Sequence, residues 1–211
     1  NSRENRLTPF ANDPIGDPTA EAIVIRDDDS GQTWWPTPGP APRAGGGSCL
    51  VHHSAGLTRF SKATHGLAHE LDVFVDTDDP VKFSVLSITN DGPAPRTLSI
   101  FAYNEWALGP PREGHHRHVV TEVDAATGAL LATNAYNQDF AGRVAFAFSS
   151  ETPSSITGDR REFIGRNGTL ERPAALAAGA KLSGRTGAGL DPCGALQTSV
   201  VLAAHSSVEL V

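Results

Sequence analysis

Residues 67–93 read LAHELDVFVDTDDPVKFSVLSITNDGP, two segments of alternating character joined by a short polar stretch. In 67–76, apolar and charged side chains alternate with the period of two that places them on opposite faces of a strand. The apolar face contains Leu67, Leu71, Val73 and Val75, and the charged face contains Glu70, Asp72 and Asp76. The segment 77–80 predicts a turn, because Asp bonds nearby backbone N–H groups and proline ends a strand. We therefore predict a β-hairpin here.

The second strand of this hairpin changes parity partway along. Val81, Phe83 and Val85 alternate with polar residues, and Leu86 and Ile88 continue on the opposite parity. Such a switch predicts either a β-bulge or a strand with apolar residues on both faces.

Further strands are predicted where alternating segments lie between turn signals, which recur every 8–12 residues or so. They are Ala22–Arg26, Ser48–His53, Leu57–Ser61, Arg96–Glu105, Val119–Val123, Leu130–Asn134, Arg143–Ser149 and Gln197–Ala203. Only Pro173–Lys181 is rich enough in alanine to predict a short helix, and Pro36–Gly47 is expected to be a flexible surface loop. We expect residues 1–211 to form a single all-β sandwich domain.

Composition argues against two classes of function. The formal net charge is −7 with acids and bases interspersed, whereas a nucleic-acid binder needs a basic face that displaces counterions. No apolar run approaches the roughly 20 residues that span a bilayer, so we expect no direct membrane contact.

The chain begins at Asn1 and lacks methionine, from which we expect a domain excised from a larger protein. Cys49 and Cys193 have no partner at metal-ligand spacing, and two unpaired thiols are favoured over one disulfide.

The segment 115–118, HHRH, is the most conspicuous polar motif. No nearby carboxylate or cysteine completes a ligand set for a metal ion, so a solvated loop is the preferred interpretation. Arg117 has a stronger case, since a guanidinium near aromatic and amide groups suits recognition of hydroxyls or phosphate. Those groups are Tyr103, Asn104, Glu105 and Trp106. Trp106, at a strand end, is at least as consistent with core packing.

Other polar or aromatic motifs are better explained by turns and core packing than by a chemical function. One of Trp34 and Trp35 is expected in the core and the other over a loop, with sugar stacking as the alternative. The aspartates of 27–29 and 78–79, and the segment 165–168, GRNG, are typical of turns. No nucleophile with a paired base is present as a motif, so we assign no catalytic residue and no cofactor or metal.

Several motifs, in order along nearly the whole chain, resemble one family. They are NSRENRLTPFANDP (1–14), HGL (65–67), YNEWAL (103–108), HVVTE (118–122), FAGRVAF (140–146), TGDRREF (157–163), GRNG (165–168) and GAGLDPC (187–193). Together they resemble the carbohydrate-binding β-domain of inverting glycoside phosphorylases related to cellobiose and chitobiose phosphorylase. The resemblance is strongest to the phosphorylase-type region of bacterial cyclic β-1,2-glucan synthases.

This resemblance implies a galactose-mutarotase-like super-sandwich of two large antiparallel sheets. In the family such a domain precedes an (α/α)6 barrel that carries the catalytic acid and uses inorganic phosphate as co-substrate. The implied role here is accessory, with the barrel of the same parent chain, a β-glucan oligosaccharide and a second copy of the protein as partners. The implied location is cytoplasmic, at the inner membrane face if the parent is membrane-anchored.

The resemblance also implies which residues approach the substrate. In the family, loops of the β-domain reach the acceptor-sugar side of the active site, and by position these are the Arg117 loop and the first six residues. The substrate-binding prediction is therefore Arg117, Arg3, Asn5, Arg6 and Trp106.

Two alternatives remain open at the level of sequence. Mutarotase-like folds include epimerases that use a His with a Glu or Asp, for which Glu70, Glu105 and His69 are available without a paired pattern. The other alternative is a dimerisation scaffold that contacts no sugar.

Overall fold

A computed structural model shows the chain as antiparallel β-sheets with few, short helices. The structure describes residues 5–9, 19–41, 47–110 and 112–211. The strands are β1 (Glu21–Asp27), β2 (Thr33–Trp34), β3 (Cys49–Ser54), β4 (Leu57–Thr64), β5 (Leu67–Val75), β6 (Lys82–Asn90), β7 (Arg96–Glu105), β8 (Val119–Val123), β9 (Leu130–Asn134), β10 (Val144–Ala147), β11 (Ser155–Asp159), β12 (Pro192–Leu202) and β13 (Ser206–Leu210). The α-helices are α1 (Arg112–His115) and α2 (Arg160–Ile164), and 3-10 turns occupy His116–His118, Gln138–Phe140 and Ala174–Leu176. The predicted all-β, antiparallel class is confirmed.

Three strands agree best with the sequence predictions. β7, β8 and β9 begin and end at the predicted residues. The prediction missed β2, β11 and β13, and β12 begins at Pro192 instead of Gln197. These segments are short or mixed in polarity, and they become strands because a distant partner pairs with them.

The predicted helix over Pro173–Lys181 is wrong except for one 3-10 turn. Ala177 already has an extended backbone with ψ 144°, because a short alanine-rich segment lacks the length to hold a helix on propensity alone. The sequence analysis missed α2 instead. Its N-cap Asp159 accepts a hydrogen bond from the Arg161 N–H at 3.1 Å, and Gly165 ends it at φ +97°.

The chain divides into two compact units. The first comprises Asn1–Ala22 and Phe101–Thr198, and the second comprises Ile23–Ile100 and Ser199–Val211. The expectation of a single sandwich domain stays a prediction, and each unit is described by itself.

The second unit is built on a five-stranded sheet with the order β13-β6-β5-β4-β3. The predicted hairpin is its centre, with an unbroken register from Leu67↔Asn90 to Val75↔Lys82. The parity change in β6 is therefore no bulge, and apolar residues occupy both faces of the strand. Asp76 Oδ2 accepts hydrogen bonds from the N–H groups of Asp78 and Asp79, both at 3.0 Å, which forms the predicted turn.

One face of this sheet packs into the core of the second unit. The buried members of the core are Ile25, Trp34, Leu67, Leu71, Leu86, Ile88, Leu98, Ile100, Leu202 and Leu210. Burial of each large aliphatic side chain contributes about 1.5–3 kcal/mol. Trp34 and Trp35 are both buried, so neither presents an open ring face for the alternative role of sugar stacking.

The first unit contains a three-stranded sheet with the order β10-β9-β8. Its buried core residues are Trp106, Leu108, Val119, Leu130, Ala132, Ala145 and Leu196. In the same unit β11 pairs antiparallel with β12, and in the second unit β1 pairs antiparallel with β2.

Some sequence predictions concern segments at the margins of the described structure. Residues 36–41 of the predicted Pro36–Gly47 loop contain neither helix nor strand, and 42–46 lie outside the described residues.

Both cysteines, Cys49 and Cys193, are free thiols, as predicted. In the part of the chain that is described, no helix has the length and apolar character needed to cross a membrane.

Candidate functional site

Two of the predicted substrate-binding residues lie beside the loop that follows β7. The Arg6 N–H donates to the Gly109 carbonyl at 2.9 Å, and the Gly109 N–H donates back to Arg6 at 3.3 Å. The Ala107 N–H donates to the Leu7 carbonyl at 3.0 Å. Main-chain pairing thus holds the segment of Asn5 and Arg6 against residues 106–109.

The loop that follows β9 is tied to the same place by two asparagines. Asn134 is buried, and its Nδ2 donates to the Leu108 carbonyl at 2.8 Å. Asn137 Nδ2 lies 3.4 Å from both the Leu108 carbonyl and Asn5 Oδ1. Leu108 itself has φ +45°, a left-handed conformation that costs a residue with a Cβ about 1 kcal/mol or more. The two amides that bond its carbonyl stabilise this conformation.

The histidine-rich segment packs against an aromatic ring of the β9 loop. The ring of His118 stacks on Tyr136 with centroids 4.1 Å apart and planes 12° apart. His115 approaches the same ring edge-on, with centroids 5.6 Å apart. A Cβ on residue 109 would lie 3.1 Å from His115 Nδ1, so glycine at this position leaves room for the imidazole. Tyr136 nevertheless remains 61 % exposed.

We call this assembly the Leu108 cluster. It comprises Asn5, Arg6, residues 106–109, residues 115–118, Asn134 and residues 136–137. Three chain segments that are distant in sequence meet in it, and each is held by backbone or amide hydrogen bonds. Rigid loops with exposed polar and aromatic side chains are typical of ligand-binding surfaces.

The structure places the predicted substrate-binding residues in different environments. Asn5 and Arg6 join the Leu108 cluster, and Arg117 lies in its 3-10 turn with an exposed side chain. Arg117 has no hydrogen bond or ion pair with any residue that the structure describes, so its donors are available to a ligand. Arg3 lies outside the described residues.

Trp106 is a predicted site residue whose geometry favours the alternative role of core packing. It is 2 % exposed and packs in the core of the first unit, with no hydrogen-bond partner for its indole N–H among the described residues. Gly194 leaves it room, because a Cβ there would lie 3.0 Å from Trp106 Cζ2. Core packing therefore accounts for this tryptophan, and its ring presents no face to a ligand.

The polar residues that precede Trp106 form a structural network instead of a binding surface. The Tyr103 hydroxyl donates to Glu105 Oε2 at 3.2 Å, and Arg160 Nε donates to the same oxygen at 2.9 Å. Arg160 also lies 3.5 Å from a carboxylate oxygen of Asp191. Burial, more than the nearby charges, raises the pKa of Tyr103, so this phenol stays protonated. These groups satisfy each other and hold α2 on the first unit.

Among the described residues, the histidine and the two carboxylates considered for an epimerase are not paired with one another. His69 is 2 % exposed, and neither ring nitrogen has a hydrogen-bond partner there. Its neighbour Glu70 faces the opposite side of β5, where Ser61 donates to it, and Glu105 is engaged by Arg160. Among the described residues, no three or more His, Cys, Asp or Glu side chains are grouped so that they could hold a metal ion.

The contribution of the β9 loop was not predicted from the sequence. Asn134, Tyr136 and Asn137 connect the predicted segments, and none was singled out. A local signal was present, since the predicted strand ends on Asn134 and is followed within three residues by one of only two tyrosines and a second asparagine. Their role depends on the Leu108 carbonyl, which sequence alone does not place.

Comparisons with known proteins assign the family. A model of the glycosyl hydrolase 94 supersandwich domain matches residues 1–211. The chain is 36 % identical over 206 residues to the cyclic beta-(1,2)-glucan synthase NdvB of Rhizobium meliloti (strain 1021), covering 97 % of this chain and 7 % of that protein. It is 29 % identical over 166 residues to the solabiose phosphorylase of Paenibacillus borealis, covering 75 % of this chain and 21 % of the relative.

A third relative extends the similarity to a further phosphorylase. The N,N'-diacetylchitobiose phosphorylase of Vibrio furnissii is 27 % identical over 206 residues, which is 94 % of this chain and 25 % of the relative. The chain therefore spans a quarter or less of each of these three proteins. It belongs to the glycosyl hydrolase 94 supersandwich domain family.

Proposed function

We propose that this chain is an accessory, non-catalytic β-domain that supports the synthesis or phosphorolysis of β-glucosidic bonds by another part of a longer protein. Two findings support this proposal. The family match covers the whole chain, and the similar proteins include a β-1,2-glucan synthase and two phosphorylases that are much longer than the chain. In addition, the epimerase candidates are not paired: His69 is buried without a hydrogen-bond partner among the described residues, and Glu105 is bonded to Arg160.

In this proposal the Leu108 cluster contacts a β-glucan oligosaccharide. The single observation that carries it is the main-chain pairing of Arg6 with Gly109, which brings the predicted segment of Asn5 and Arg6 to the loop that leads to Arg117. An exposed guanidinium with its donors available suits the hydroxyls of a sugar. Arg3 stays part of this proposed set, whereas Trp106 acts through packing.

The rest of the longer protein supplies the chemistry in this proposal. A helical barrel of the same polypeptide carries the catalytic acid, and inorganic phosphate is the co-substrate of that barrel. The domain itself works on the cytoplasmic side, at the inner membrane face if its parent is membrane-anchored, and it needs no metal or cofactor.

The proposal is tested on the 211-residue chain with a β-1,2-linked glucose tetrasaccharide. In two-dimensional NMR titrations, we expect shift changes at the backbone amides of 108–118 and 136–137. Replacing Arg117 by Ala should weaken binding about tenfold or more, because a charge-assisted hydrogen bond contributes about 1.5–3 kcal/mol. The matched control is Arg172→Ala, an exposed arginine outside the cluster, which should bind like the unchanged chain.

Two results would contradict the proposal. Release of glucose 1-phosphate from the tetrasaccharide and phosphate, or faster aldose mutarotation, by the chain alone would make it an enzyme. An unchanged NMR spectrum at saturating tetrasaccharide would remove the carbohydrate contact and leave a scaffold role.

One observation favours a second candidate function as a dimerisation scaffold. The face of the β10-β9-β8 sheet opposite to the core exposes Val144, Phe146 and Phe148, around an apolar cleft of about 540 Å³. Exposed apolar patches of this kind often mark protein interfaces. If a second copy covers this face, sedimentation should show a concentration-dependent dimer that Phe146→Ser dissociates, and a monomer at every concentration would rule this function out.

A further inference from the structure

We propose that Tyr136 is a stacking platform on which the Leu108 cluster holds one gluco-configured, β-linked sugar ring. This inference rests on the proposed carbohydrate contact and names the residue and the ring surface that make it. Tyr136 was not among the substrate-binding residues predicted from the sequence.

The first argument is the orientation of the tyrosine ring. His118 covers one ring face in nearly parallel contact, with the two planes 12° apart. The residue is still 61 % exposed, so much of it remains open to solvent. A single exposed aromatic residue is ordinary on a protein surface. An aromatic ring that a second ring holds in place, in a residue that stays largely exposed, is a prepared binding surface.

The second argument is the rigidity of the loop that carries the ring. The Tyr136 N–H donates to Asn134 Oδ1 at 3.1 Å, and the buried Asn134 donates to the Leu108 carbonyl at 2.8 Å. The edge of His115 further confines the ring. Because this position is set before any ligand arrives, little conformational entropy is lost on binding.

The third argument is the match between this surface and one class of sugar. In β-glucose every hydroxyl is equatorial, so both ring faces present axial C–H groups, whereas the axial 4-hydroxyl of galactose interrupts one face. Aromatic rings pack against such apolar surfaces, and hydroxyls at the rim need polar partners. Arg117, which is exposed and adjacent to His118 in the chain, supplies N–H donors for these hydroxyls. A β-glucose ring can therefore stack through either face, whereas a galactose ring is limited to one.

The experiment measures binding of a β-1,2-linked glucose tetrasaccharide to the 211-residue chain by calorimetry. Tyr136→Ala should weaken binding roughly fivefold to tenfold through loss of the stacking contact. Tyr136→Phe, which keeps the ring, should bind within about twofold of the unchanged chain. The matched control is Phe148→Ala, another exposed aromatic of the same unit, which should not alter binding.

A second measurement does not depend on any variant. In saturation-transfer NMR on the unchanged chain, irradiation of aromatic protons should reach the sugar protons of one face, either H1, H3 and H5 or H2 and H4. Equal transfer to both faces would contradict stacking.

The outcomes separate this inference from the proposed function. If the tetrasaccharide binds the unchanged chain and Tyr136→Ala equally well, the platform is wrong and the carbohydrate contact stands. If it binds neither, both are wrong. Loss of binding in both Tyr136→Ala and Tyr136→Phe would point to the hydroxyl and would also overturn stacking.

Discussion

The Leu108 cluster and the polar groups of the second unit use similar residue types for opposite purposes. In the cluster, amides and backbone groups hold the loops, while Tyr136 and Arg117 stay exposed. In the second unit, Asp27 and His69 are 1 % and 2 % exposed. Asp27 is paired with Arg96, whereas neither ring nitrogen of His69 has a hydrogen-bond partner among the described residues. Burying a polar group is costly unless it is paired, and burial makes the group unavailable to ligands. Burial, more than residue type, separates these enclosed groups from those that carry the proposed sugar contact.

The largest expected effect is on the buried carboxylate of Asp27. Arg96 Nε donates to its Oδ2 at 2.7 Å, and the N–H groups of Asp29 and Ser30 donate to Oδ1 at 2.9 Å. Asp27→Ala should lower the free energy of unfolding by about 4 kcal/mol, because it leaves a partly buried guanidinium and two N–H groups unpaired. Urea unfolding followed by tryptophan fluorescence measures this loss. Asp91→Ala, an exposed turn residue, is the control and should change stability little.

The next largest effect is a dependence of stability on pH, which His69 causes. Burial, with a smaller contribution from the positive charge of Lys62, lowers the pKa of His69 to about 4. The unfolded chain therefore binds a proton below the ordinary pKa of 6.5 that the folded chain does not. The free energy of unfolding should have its full value above about pH 6.5. It should fall by at most about 3 kcal/mol as the pH drops towards about 4.

Urea unfolding at a series of pH values checks this prediction. His69→Leu should flatten the stability profile between about pH 6.5 and 4, whereas His52→Gln, an exposed histidine on β3, should leave the slope unchanged. A profile that keeps its slope in His69→Leu would show that another group causes the dependence.

A smaller loss of stability is expected from replacing Asn134, a buried polar residue of the cluster. Asn134→Ala removes the hydrogen bonds to the Leu108 carbonyl and from the Tyr136 N–H. Stability should fall by about 1–2 kcal/mol, and tetrasaccharide binding should fall as well, because the Tyr136 loop loses its attachment. Thermal unfolding and calorimetry measure the two effects, with the exposed Asn167→Ala as the control. Unchanged binding in a folded Asn134→Ala would mean that the cluster needs no preorganisation.

The smallest effect on stability is expected from the exposed members of the cluster. Arg117→Ala should change the free energy of unfolding by less than about 0.5 kcal/mol, since it has no partner among the described residues. Thermal unfolding measures it against the unchanged chain. A large loss would show that Arg117 has a structural role, and the contrast between binding groups and stabilising groups would fail at this residue.

Local patterns predicted the parts of the structure that local physics controls. The period of two identified β5 to β9, and the turn chemistry of 77–80 was confirmed by hydrogen bonds to the Asp76 carboxylate. The resemblance in motifs is confirmed by the family match over the whole chain. These features succeed because side-chain alternation and turn propensity act within a few residues.

The site depended more on contacts between distant segments. Sequence placed Arg117, Asn5 and Arg6 in one functional set, but it treated Trp106 as a ligand contact and overlooked Tyr136. Trp106 is a core residue and Tyr136 an exposed one because of how β9 and the loop after β7 meet. Likewise, β13 became a strand only by pairing with β6, from which it is far removed along the chain.

By itself, the sequence determined the all-β class, the central hairpin and the family, since these follow from local periodicity and ordered motifs. The tertiary structure decided which polar and aromatic groups are buried and which are exposed. The free energy of a buried carboxylate, an unpaired imidazole or an open aromatic face depends on neighbours that come from elsewhere in the chain.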